Sequence, residues 1–465
     1  MTIDKYAGLI ALLVIISTLR SDGLGDTRSR AMGLTQSYTA LAVGPEAVFW
    51  NPANLALRSS PAFSWDLLGM GLAVVGENNS ISVDTYNKNF TKRDRLIDDG
   101  DKKDLVGDIE GGGLRVNVDI EPVLSFFVPL NGGVAFSVGE QYRAALALGL
   151  TAGAEGEMPK DMVELVLFGN EFDRPYDIAE WDGSGWAIGT VNGALARAWM
   201  PATLEPHLSE FTVGANIKMI MGAYGQIERS NGGFISRAEG ADLEAYAIAN
   251  SAGIEQPGIG GLGFGLDLGV AGVTKGGTTF SVGLLNLLDT ISWSGESRQD
   301  SLFATAEDLR VTRFLEGVPA IEEVLDNEDV DGDGDKDFHK KVGSNSFSRS
   351  MPALLRVGVA RQWNPKVLAV ANWDQAFTSG FGYSTTPRVS AGMEYRLVDW
   401  FPARLGLSVG GRGNSSSVGF GFGPFNFSNI QLELMDFAWV ARGGFFPGLS
   451  KGAAISLTVF KLNML

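Results

Sequence analysis

Residues 262–270 read Leu-Gly-Phe-Gly-Leu-Asp-Leu-Gly-Val, a stretch in which every second side chain is large and apolar. Successive side chains of a β-strand point to opposite faces, so one face of this strand is apolar while the other holds glycines and Asp267. The same alternation, less regular in the last case, runs through residues 389–397, 404–410 and 455–459. It predicts strands that separate an apolar medium from a polar one.

The spacing of the strands indicates how they are connected. Fourteen segments have strand character, and most are longer than the five or six residues typical of globular strands. Short turns, such as Asn131-Gly132-Gly133 between the second and third strands, alternate with longer connections. Four connections exceed thirty residues and are expected as external loops over residues 76–111, 149–183, 226–259 and 294–351. This arrangement predicts an all-β fold, a transmembrane antiparallel β-barrel of about fourteen strands in the bacterial outer membrane, with both termini in the periplasm.

Composition excludes several other classes of protein. The 465 residues include 61 glycines, nearly twice the usual share, and no cysteine, which excludes disulfide scaffolds, cysteine nucleophiles and thiolate metal sites. The formal net charge of −17 argues against nucleic acid as a partner. No P-loop, paired-glycine dinucleotide motif or zinc spacing is present, and His207 and His339 lie at opposite predicted ends of the barrel. We therefore expect a protein that is not an enzyme and has no organic cofactor.

The N-terminus has the features of an export signal. An apolar run from Ala7 to Ile16 follows Lys5, and at about ten residues it is too short to span a membrane. A retained N-terminal anchor is the alternative. With cleavage before Asp26, the predicted organisation is a signal peptide over residues 1–25, a plug over 26–60 and a barrel over 61–465.

Residues 30–57 precede the first strand and contain the element Asn51-Pro52-Ala53 in a glycine- and alanine-rich setting. This segment resembles the N-terminal hatch of the FadL-type outer-membrane transporters and their PorV-like relatives, and most closely an uncharacterised subgroup of them. The resemblance implies a fourteen-stranded barrel with the N-terminal segment folded inside as a plug. Thr35-Gln36 departs from the glycine pair of the family, and the chain ends in Leu465 instead of an aromatic residue. A plain loop before the first strand is the alternative, but the segment is too apolar for an exposed linker.

Six charged residues lie on the polar faces of predicted strands. Charge on the lipid face of a barrel is destabilising, so we expect these side chains in the lumen. They either line a polar path or form ion pairs that hold the wall to the plug. The six are Asp267, Arg356, Asp374, Glu394, Arg396 and Arg404.

Glu121-Pro122 interrupts the long predicted strand that runs from Leu114 to Leu130. Proline removes a hydrogen bond from the strand ladder and often marks a bulge, which is the structural interpretation. The resemblance to FadL-type barrels, in which a strand kink opens towards the bilayer, implies a candidate lateral gate at the same two residues.

An acidic segment lies in the longest predicted loop. Its carboxylates occupy alternate positions with glycine after the third, which is typical of the first part of a calcium-binding loop. The twelfth position is Lys340 instead of glutamate, so the segment is closer to the short loops of extracellular calcium repeats. We predict a structural calcium ion here, the alternative being a solvated acidic loop. The ligands would be Asp329, Asp331, Asp333, Asp335 and Asp337.

Three functional hypotheses remain open. The resemblance implies passive uptake of a small hydrophobic compound or, as in the PorV-like relatives, an accessory role in secretion, with a secreted protein or secretion machinery as partner. The third is a surface or adhesive barrel stabilised by calcium. In all three the wall contacts outer-membrane lipid. Uptake predicts an apolar cavity between the plug and loop helices, which we expect near residues 102–109 and 160–168; a solid, charge-filled lumen would count against it.

Overall fold

In the computed structural model, the strands form one sheet whose first and last members meet. The structure describes residues 28–91, 98–109, 113–126, 128–169, 171–177, 182–236, 243–253, 260–304 and 338–465. Strand β1 (Phe63–Asn78) pairs with β22 (Gly452–Met464) through Trp65 to Met464 and Asp66 to Asn463. The sheet is therefore a closed barrel, the form that satisfies the backbone hydrogen bonds of a sheet in lipid.

Fourteen wall strands build the barrel, and several of them consist of two or three segments. The prediction of an antiparallel barrel of about fourteen strands is confirmed. Between β1 and β22, the wall strands are β2–β4 (Leu114–Phe126, Val128–Leu130, Gly132–Val138), β5 (Tyr142–Met158), β7 (Asp182–Ala198), β8 (Leu208–Ser236), β9–β10 (Leu243–Gly253, Gly261–Thr274), β11–β12 (Thr278–Leu285, Thr290–Ala304), β13–β14 (Phe338–Ser348, Leu354–Asn364), β15 (Val367–Ala376), β16 (Arg388–Val398), β17 (Phe401–Gly410), β18 (Ser415–Phe422) and β20–β21 (Ile430–Glu433, Met435–Arg442). Two short strands, β6 (Pro175–Asp177) and β19 (Phe425–Phe427), pair with β8 and β20.

The two ends of the barrel differ. At one end, the turn end, β1 begins, β22 ends and short turns such as residues 275–277 join the strands. At the other end, the loop end, the connections are longer and carry the helices α3 (Val83–Phe90), α4 (Asp99–Gly107) and α5 (Lys160–Phe168). The helix predicted over 160–168 is confirmed, and α4 overlaps the one predicted over 102–109.

Four further helical segments precede the wall. They are α1 (Ser29–Gly33) and α2 (Ala47–Trp50), with 3-10 helices at Gly44–Glu46 and Pro52–Ala56. Within the described residues, no helix combines the length and the apolar character needed to cross a membrane.

The outward face of the wall is apolar. In β10, Leu262 and Phe264 are 61% and 66% exposed, whereas the alternate residues Gly263 and Asp267 are buried. Leu405 in β17 is 56% exposed and pairs with Met393 and Val418, which are also exposed. Such a band would be unfavourable in water and is the surface expected against lipid. The barrel is therefore of the membrane-spanning, outer-membrane type.

Exposed aromatic side chains lie on this outer face, as expected for interfacial girdles. Trp363, Trp373, Tyr395 and Trp400 are between 39% and 64% exposed. Trp293, by contrast, is fully buried and faces the lumen. The alternation of β11, in which Ser281 and Leu285 are buried, continues in β12 with Ile291 and Trp293.

Several strands extend beyond the predicted boundaries. Strand β8 reaches Ser236, and β12 pairs with β9 on one side and with β13 on the other, largely within the predicted loops 226–259 and 294–351. Similarly, β5 continues to Met158 and β7 begins at Asp182. These extensions were missed because the apolar alternation weakens where both faces of a strand leave the lipid.

The second wall strand is interrupted, which corrects one predicted turn. Both β2 and β4 run antiparallel to β1, with Phe126 paired to Leu68 and Val134 to Trp65. They are thus parts of one wall strand, and the turn to β5 lies at residues 139–141 instead of Asn131-Gly132-Gly133. Asn131 does adopt a left-handed conformation, φ 54°, but the reversal that it makes is between β3 and β4.

A charge at the centre of the lipid face should destabilise the barrel. We expect Leu405→Arg to lower the free energy of unfolding in lipid vesicles by about 2–4 kcal/mol, because arginine would lie near the bilayer midplane. Val409→Arg, on the same face near the end of β17, should cost only about 0–1 kcal/mol. Denaturant unfolding in vesicles measures both values, and equal small effects would show that this face does not contact hydrocarbon.

Candidate functional site in the barrel lumen

The N-terminal residues 28–60, here called the inner segment, lie inside the barrel. Leu34, Trp50 and Leu55 are at most 1% exposed. Wall glycines allow a close approach: a Cβ atom at Gly214 would lie 2.5 Å from the amide nitrogen of Ala53. The same holds for other wall glycines, namely Gly269, Gly283, Gly358, Gly392 and Gly406. Part of the unusual glycine content therefore serves the contact between the wall and the inner segment.

The Asn51-Pro52-Ala53 element attaches the inner segment to two wall strands. The Asn51 carboxamide oxygen accepts a hydrogen bond from the Ala53 amide at 3.0 Å, which caps the 3-10 helix. The Asn51 side-chain nitrogen donates to Val270 O at 2.9 Å and to Ser281 Oγ at 2.6 Å. One side chain thus caps a turn and fixes it to β10 and β11.

Three of the six predicted lumen charges meet near the turn end. Glu394 accepts hydrogen bonds at 2.9 Å from Arg404 on the wall and from Arg30 of the inner segment. Arg396 Nε lies 3.6 Å from Glu394, and Arg404 Nη1 lies 2.6 Å from Asp436. Sequence analysis missed Arg30 and Asp436, which complete the cluster. Its geometry links the inner segment to β16, β17 and β21.

The other three predicted charges lie in two separate groups. Asp374 is 3.7 Å from Arg356 and 3.5 Å from Arg388. Arg356 stacks over the Trp50 ring at 4.4 Å, and Arg388 donates to Thr35 O at 2.6 Å, so both contact the inner segment.

Asp267 forms the third group on the wall itself. Its carboxylate lies 2.7 Å from Lys218 Nζ and accepts a hydrogen bond from Asn216 at 2.7 Å. It also accepts the backbone N–H of Asn286 at 2.7 Å, at the irregular residues between β11 and β12. All three groups are engaged in ion pairs, and in the Glu394 group one pair, with Arg30, joins the wall to the inner segment.

A further cluster surrounds Glu46 of the inner segment. Its carboxylate contacts Arg28, lies 3.0 Å from Lys461 Nζ and accepts the Tyr38 hydroxyl at 2.9 Å. Burial by itself raises the pKa of Glu46, but Arg28 and Lys461 outweigh burial and hold the pKa well below its usual range. Glu46 is therefore ionised across the physiological pH range.

The interruption of the second wall strand lies beside this cluster. Strand β2 pairs with β5 only as far as Ile120 opposite Ala152, and the pairing of β5 resumes at Leu148, which is opposite Gly132 of β4 and Leu130 of β3. In the gap the Asn131 side chain takes the place of a strand: it donates to Leu150 O at 2.8 Å and accepts from Leu150 N at 2.6 Å. A wall position that strand pairing leaves open is thus closed by one carboxamide.

Glu121-Pro122 lies just before this gap. The pairing with β1 is regular here, Glu121 with Ala73 and Pro122 with Leu72, so the bulge expected at these residues is absent from the described pairing and the interruption follows Phe126 instead. Proline is tolerated because β2 has lost its β5 partner from residue 121 onward. The gate role of the two residues stays a prediction.

The Arg28 guanidinium connects the inner segment to the interruption. Its Nη2 atom donates to Asn131 O at 2.6 Å, while Nη1 contacts Glu46. Behind Asn131, on the lumen side, lies a cavity of about 110 Å³, here called the inner cavity. Its lining is apolar in part, from Phe49, Leu150 and Ile188, and polar elsewhere.

The connection between β15 and β16, here called the inward connection, folds into the lumen on the loop-end side of this cavity. In residues 377–387, between β15 and β16, Phe381 is 1% exposed and packs edge-on against Trp186 with ring centroids 5.7 Å apart. Phe381 also packs against Tyr224, which contacts Trp293 with centroids 5.3 Å apart. The inward connection thus completes an aromatic cluster in the lumen, formed by Trp186, Tyr224, Trp293 and Phe381.

The loop end opens into a cavity of about 710 Å³, here called the mouth cavity. Charged, polar and glycine residues line it, together with Tyr383 of the inward connection. Tyr383 also lines the inner cavity and therefore lies between the two. The mouth is thus polar where an apolar cavity was expected, and the lumen below it is filled with ion pairs. Both findings count against a wide apolar path along the barrel axis.

The calcium motif and the signal peptide are not placed by the structure. Residues 1–27 and the five aspartates of 329–337 lie outside the described residues. In the part that is described, no group of three or more His, Asp or Glu side chains is arranged to hold a metal ion. The calcium site therefore stays a prediction.

Comparison with known proteins adds the following. A family model, described as a family of unknown function (DUF5723), matches residues 56–435. No curated protein matches the chain.

Among solved structures, the toluene transporter TbuX of Ralstonia pickettii is 14% identical, with 95% of this chain and 98% of that chain covered and a TM-score of 0.46. The P. putida toluene transporter TodX is 11% identical, with 95% and 97% covered and a TM-score of 0.47. A Pseudomonas aeruginosa FadL homologue is 11% identical, with 95% and 98% covered and a TM-score of 0.48. FadL-type barrels, which the N-terminal segment resembles, are thus among the matches, and function has to be argued from this chain's own residues.

Removal of the Glu394 carboxylate should loosen the inner segment. Glu394→Ala leaves the buried Arg404 without one partner, and we expect a loss of about 3–5 kcal/mol in the free energy of unfolding. Glu157→Ala is the control, because Glu157 meets Arg115 at the same 2.9 Å but in an exposed pair. The control should cost at most about 1 kcal/mol. Denaturant unfolding and limited proteolysis of residues 28–60 report the effect, and similar losses in both variants would contradict it.

The stabilisation by Glu46 should depend on pH. A carboxyl whose folded pKa is depressed stabilises the fold above its unfolded pKa, and that contribution is lost as the pH falls through the folded pKa. Glu46→Gln should therefore lower the free energy of unfolding by about 3 kcal/mol at pH 7. The difference from the native protein should shrink below about pH 4.3, where the unfolded carboxyl becomes protonated. Denaturant unfolding at pH 7, 5 and 3 measures this difference. Glu205→Gln, in an exposed turn, is the control, and its free energy of unfolding should stay close to that of the native protein at each pH. A difference for Glu46→Gln that is constant with pH would refute the prediction.

Proposed function

The chain belongs to DUF5723, a family of unknown function, and we propose from its geometry that it is an outer-membrane channel. The channel would serve passive uptake of small hydrophobic compounds, with a lateral exit through the second wall strand. The observation that carries the proposal is the gap in the wall between β2 and β5, closed by the Asn131 side chain and backed by the inner cavity. In this proposal the turn end and both chain termini face the periplasm.

A lateral exit is energetically easier than a path along the axis. Opening the gap at Asn131 breaks two hydrogen bonds to Leu150, and each backbone group that is left unsatisfied costs about 1–3 kcal/mol. Displacing the inner segment would separate buried ion pairs at Glu394 and Glu46, and breaking one such pair costs about 3–5 kcal/mol. The energy barrier is therefore lower for a small solute that leaves through the wall than for one that moves along the barrel axis. A hydrophobic solute also gains free energy by entering the bilayer, since its apolar surface leaves water there.

The upper part of the route is defined by Tyr383. A compound in the mouth cavity would pass this side chain to reach the inner cavity, because Tyr383 lines both. In the inner cavity it would contact Phe49, Leu150 and Ile188, with Asn131 at the exit. The volume of about 110 Å³ suits a molecule of the size of one aromatic ring, since a dry cavity of about 150 Å³ binds benzene.

Removal of the Asn131 side chain should speed uptake. We expect Asn131→Ala to raise the initial rate of radiolabelled toluene uptake several-fold, because the backbone of Leu150 loses both bonds that close the gap. The measurement uses cells whose own hydrophobic-compound channels are deleted and which express this protein.

Asn364→Ala is the control for this experiment. Asn364 also bonds two backbone groups, the amides of Lys366 and Val367, but it does so in a turn of the intact wall. Its loss should leave uptake unchanged. Uptake that is no faster in cells expressing the native protein than in empty cells would refute the proposal. That result would favour the secretion-accessory or adhesive alternatives, which predict no uptake.

A further inference from the structure

The mouth cavity has a chemistry that uptake of hydrophobic compounds does not use. We propose that it is a binding site for an uncharged oligosaccharide. Its volume of about 710 Å³ lies within the range of about 300–1,000 Å³ typical of small-ligand sites. Unlike most such sites, no aliphatic side chain is among the described residues that line it. A ligand here therefore exchanges hydrogen bonds with the cavity instead of burying apolar surface.

The charges in the cavity are fixed and nearly balanced. Arg115 holds Glu157 through two parallel hydrogen bonds of 2.9 Å and 3.1 Å. Arg412 holds Glu155 at 2.7 Å, and its side chain is only 7% exposed. Glu77, 1% exposed, is bonded to Arg442 at 2.9 Å. Two further cations line the cavity: Arg349 stacks over the Tyr224 ring, and Lys451 donates to Asn79 O. Because each carboxylate faces a guanidinium and both further cations have partners, the described lining carries a formal excess of only one positive charge.

Paired charges of this kind suit hydroxyl groups. A carboxylate accepts hydrogen bonds and a guanidinium donates them, and each keeps further capacity when the two are paired. Side by side, as in Arg115 and Glu157, they present donors and acceptors at the spacing of vicinal hydroxyls on a sugar ring. The Arg412–Glu155 pair, whose guanidinium side chain is 7% exposed, also holds its groups in place before a ligand binds, which lowers the entropic cost of binding.

The inward connection places one aromatic residue, Tyr383, in the described lining. Tyr383 is only 8% exposed and packs with Leu285 and Leu354, and its backbone oxygen accepts a hydrogen bond from Arg412 at 3.4 Å. A saccharide is therefore held mainly by the polar groups around Tyr383, and only a small part of this residue is available for an apolar contact. A purely apolar ligand would instead have to desolvate the Arg115 and Arg412 pairs without replacing their water.

The test is direct binding to the purified full-length protein in detergent. A panel of lipid-free, uncharged di- to hexasaccharides is the first probe, and deacylated lipopolysaccharide of the host is the second. We expect at least one uncharged saccharide to bind to the native protein. Binding of panel members supports the proposal, whereas binding of the deacylated lipopolysaccharide alone, which carries phosphate and carboxylate groups, contradicts it.

Two double variants locate the site. Arg115→Ala with Glu157→Ala should weaken saccharide binding about ten-fold or more, because it removes both partners of a pair and leaves no unpaired charge. Arg174→Ala with Glu164→Ala removes a pair near α5 that lies outside the lining and should leave binding unchanged. Thermal unfolding checks that both variants fold.

A second substitution separates hydrogen bonding from charge. Arg115→Gln with Glu157→Gln keeps polar amides at both positions and should retain part of the binding that the alanine pair loses. The proposal is overturned if no uncharged saccharide binds, if only charged saccharides bind, or if the alanine pair at Arg115 and Glu157 binds as tightly as the native protein. None of these outcomes bears on toluene uptake, so this inference and the proposed channel can fail separately.

Discussion

The requirement that backbone N–H and C=O groups be hydrogen-bonded in hydrocarbon governs this molecule. It explains why fourteen strands close through β1 and β22, and why the apolar side chains of β10 and β17 point outwards. It also makes the gap between β2 and β5 the exceptional place in the wall. There the requirement is met at Leu150 by a side chain, Asn131, instead of by a strand. A side chain can rotate away without unzipping a ladder, which is the physical basis of the proposed lateral exit.

Closure also determines what fills the lumen. The inner segment packs against wall glycines such as Gly214 and is held by charges whose partners lie on distant strands. Glu394 and Glu46 each connect the inner segment to the wall, through Arg30 and Lys461 respectively. Buried pairs of this type add less to stability than their number suggests, because desolvation offsets most of the attraction. Their effect is to specify one position of the inner segment, since any shift would leave a buried charge without its partner.

The sequence predicted the wall well and the interior only in part. Alternation such as that at 262–270 is a local signal, and it was sufficient for the outward faces of the strands and the inward position of Asp267, while the fourteen segments of strand character were sufficient for the number of strands. The Asn131 turn was misread because a glycine-rich reversal has the same local signature whether it joins two wall strands or folds back within one. The partners of Glu394 could not be inferred, because Arg30 lies 364 residues away and only closure of the barrel brings the two together.

The polar mouth and the small inner cavity make different demands on a permeating molecule. The mouth is lined by charged pairs such as Arg115 and Glu157, which favour hydrated or hydroxyl-bearing groups. The inner cavity below Tyr383 is partly apolar and leads to the wall at Asn131. In the proposed channel, a hydrophobic molecule would gain no apolar contact in the mouth and would first find it beyond Tyr383, so the polar region would act as a filter and the partly apolar one as the binding step. The saccharide proposed for the mouth would bind through the polar groups that such a molecule does not use.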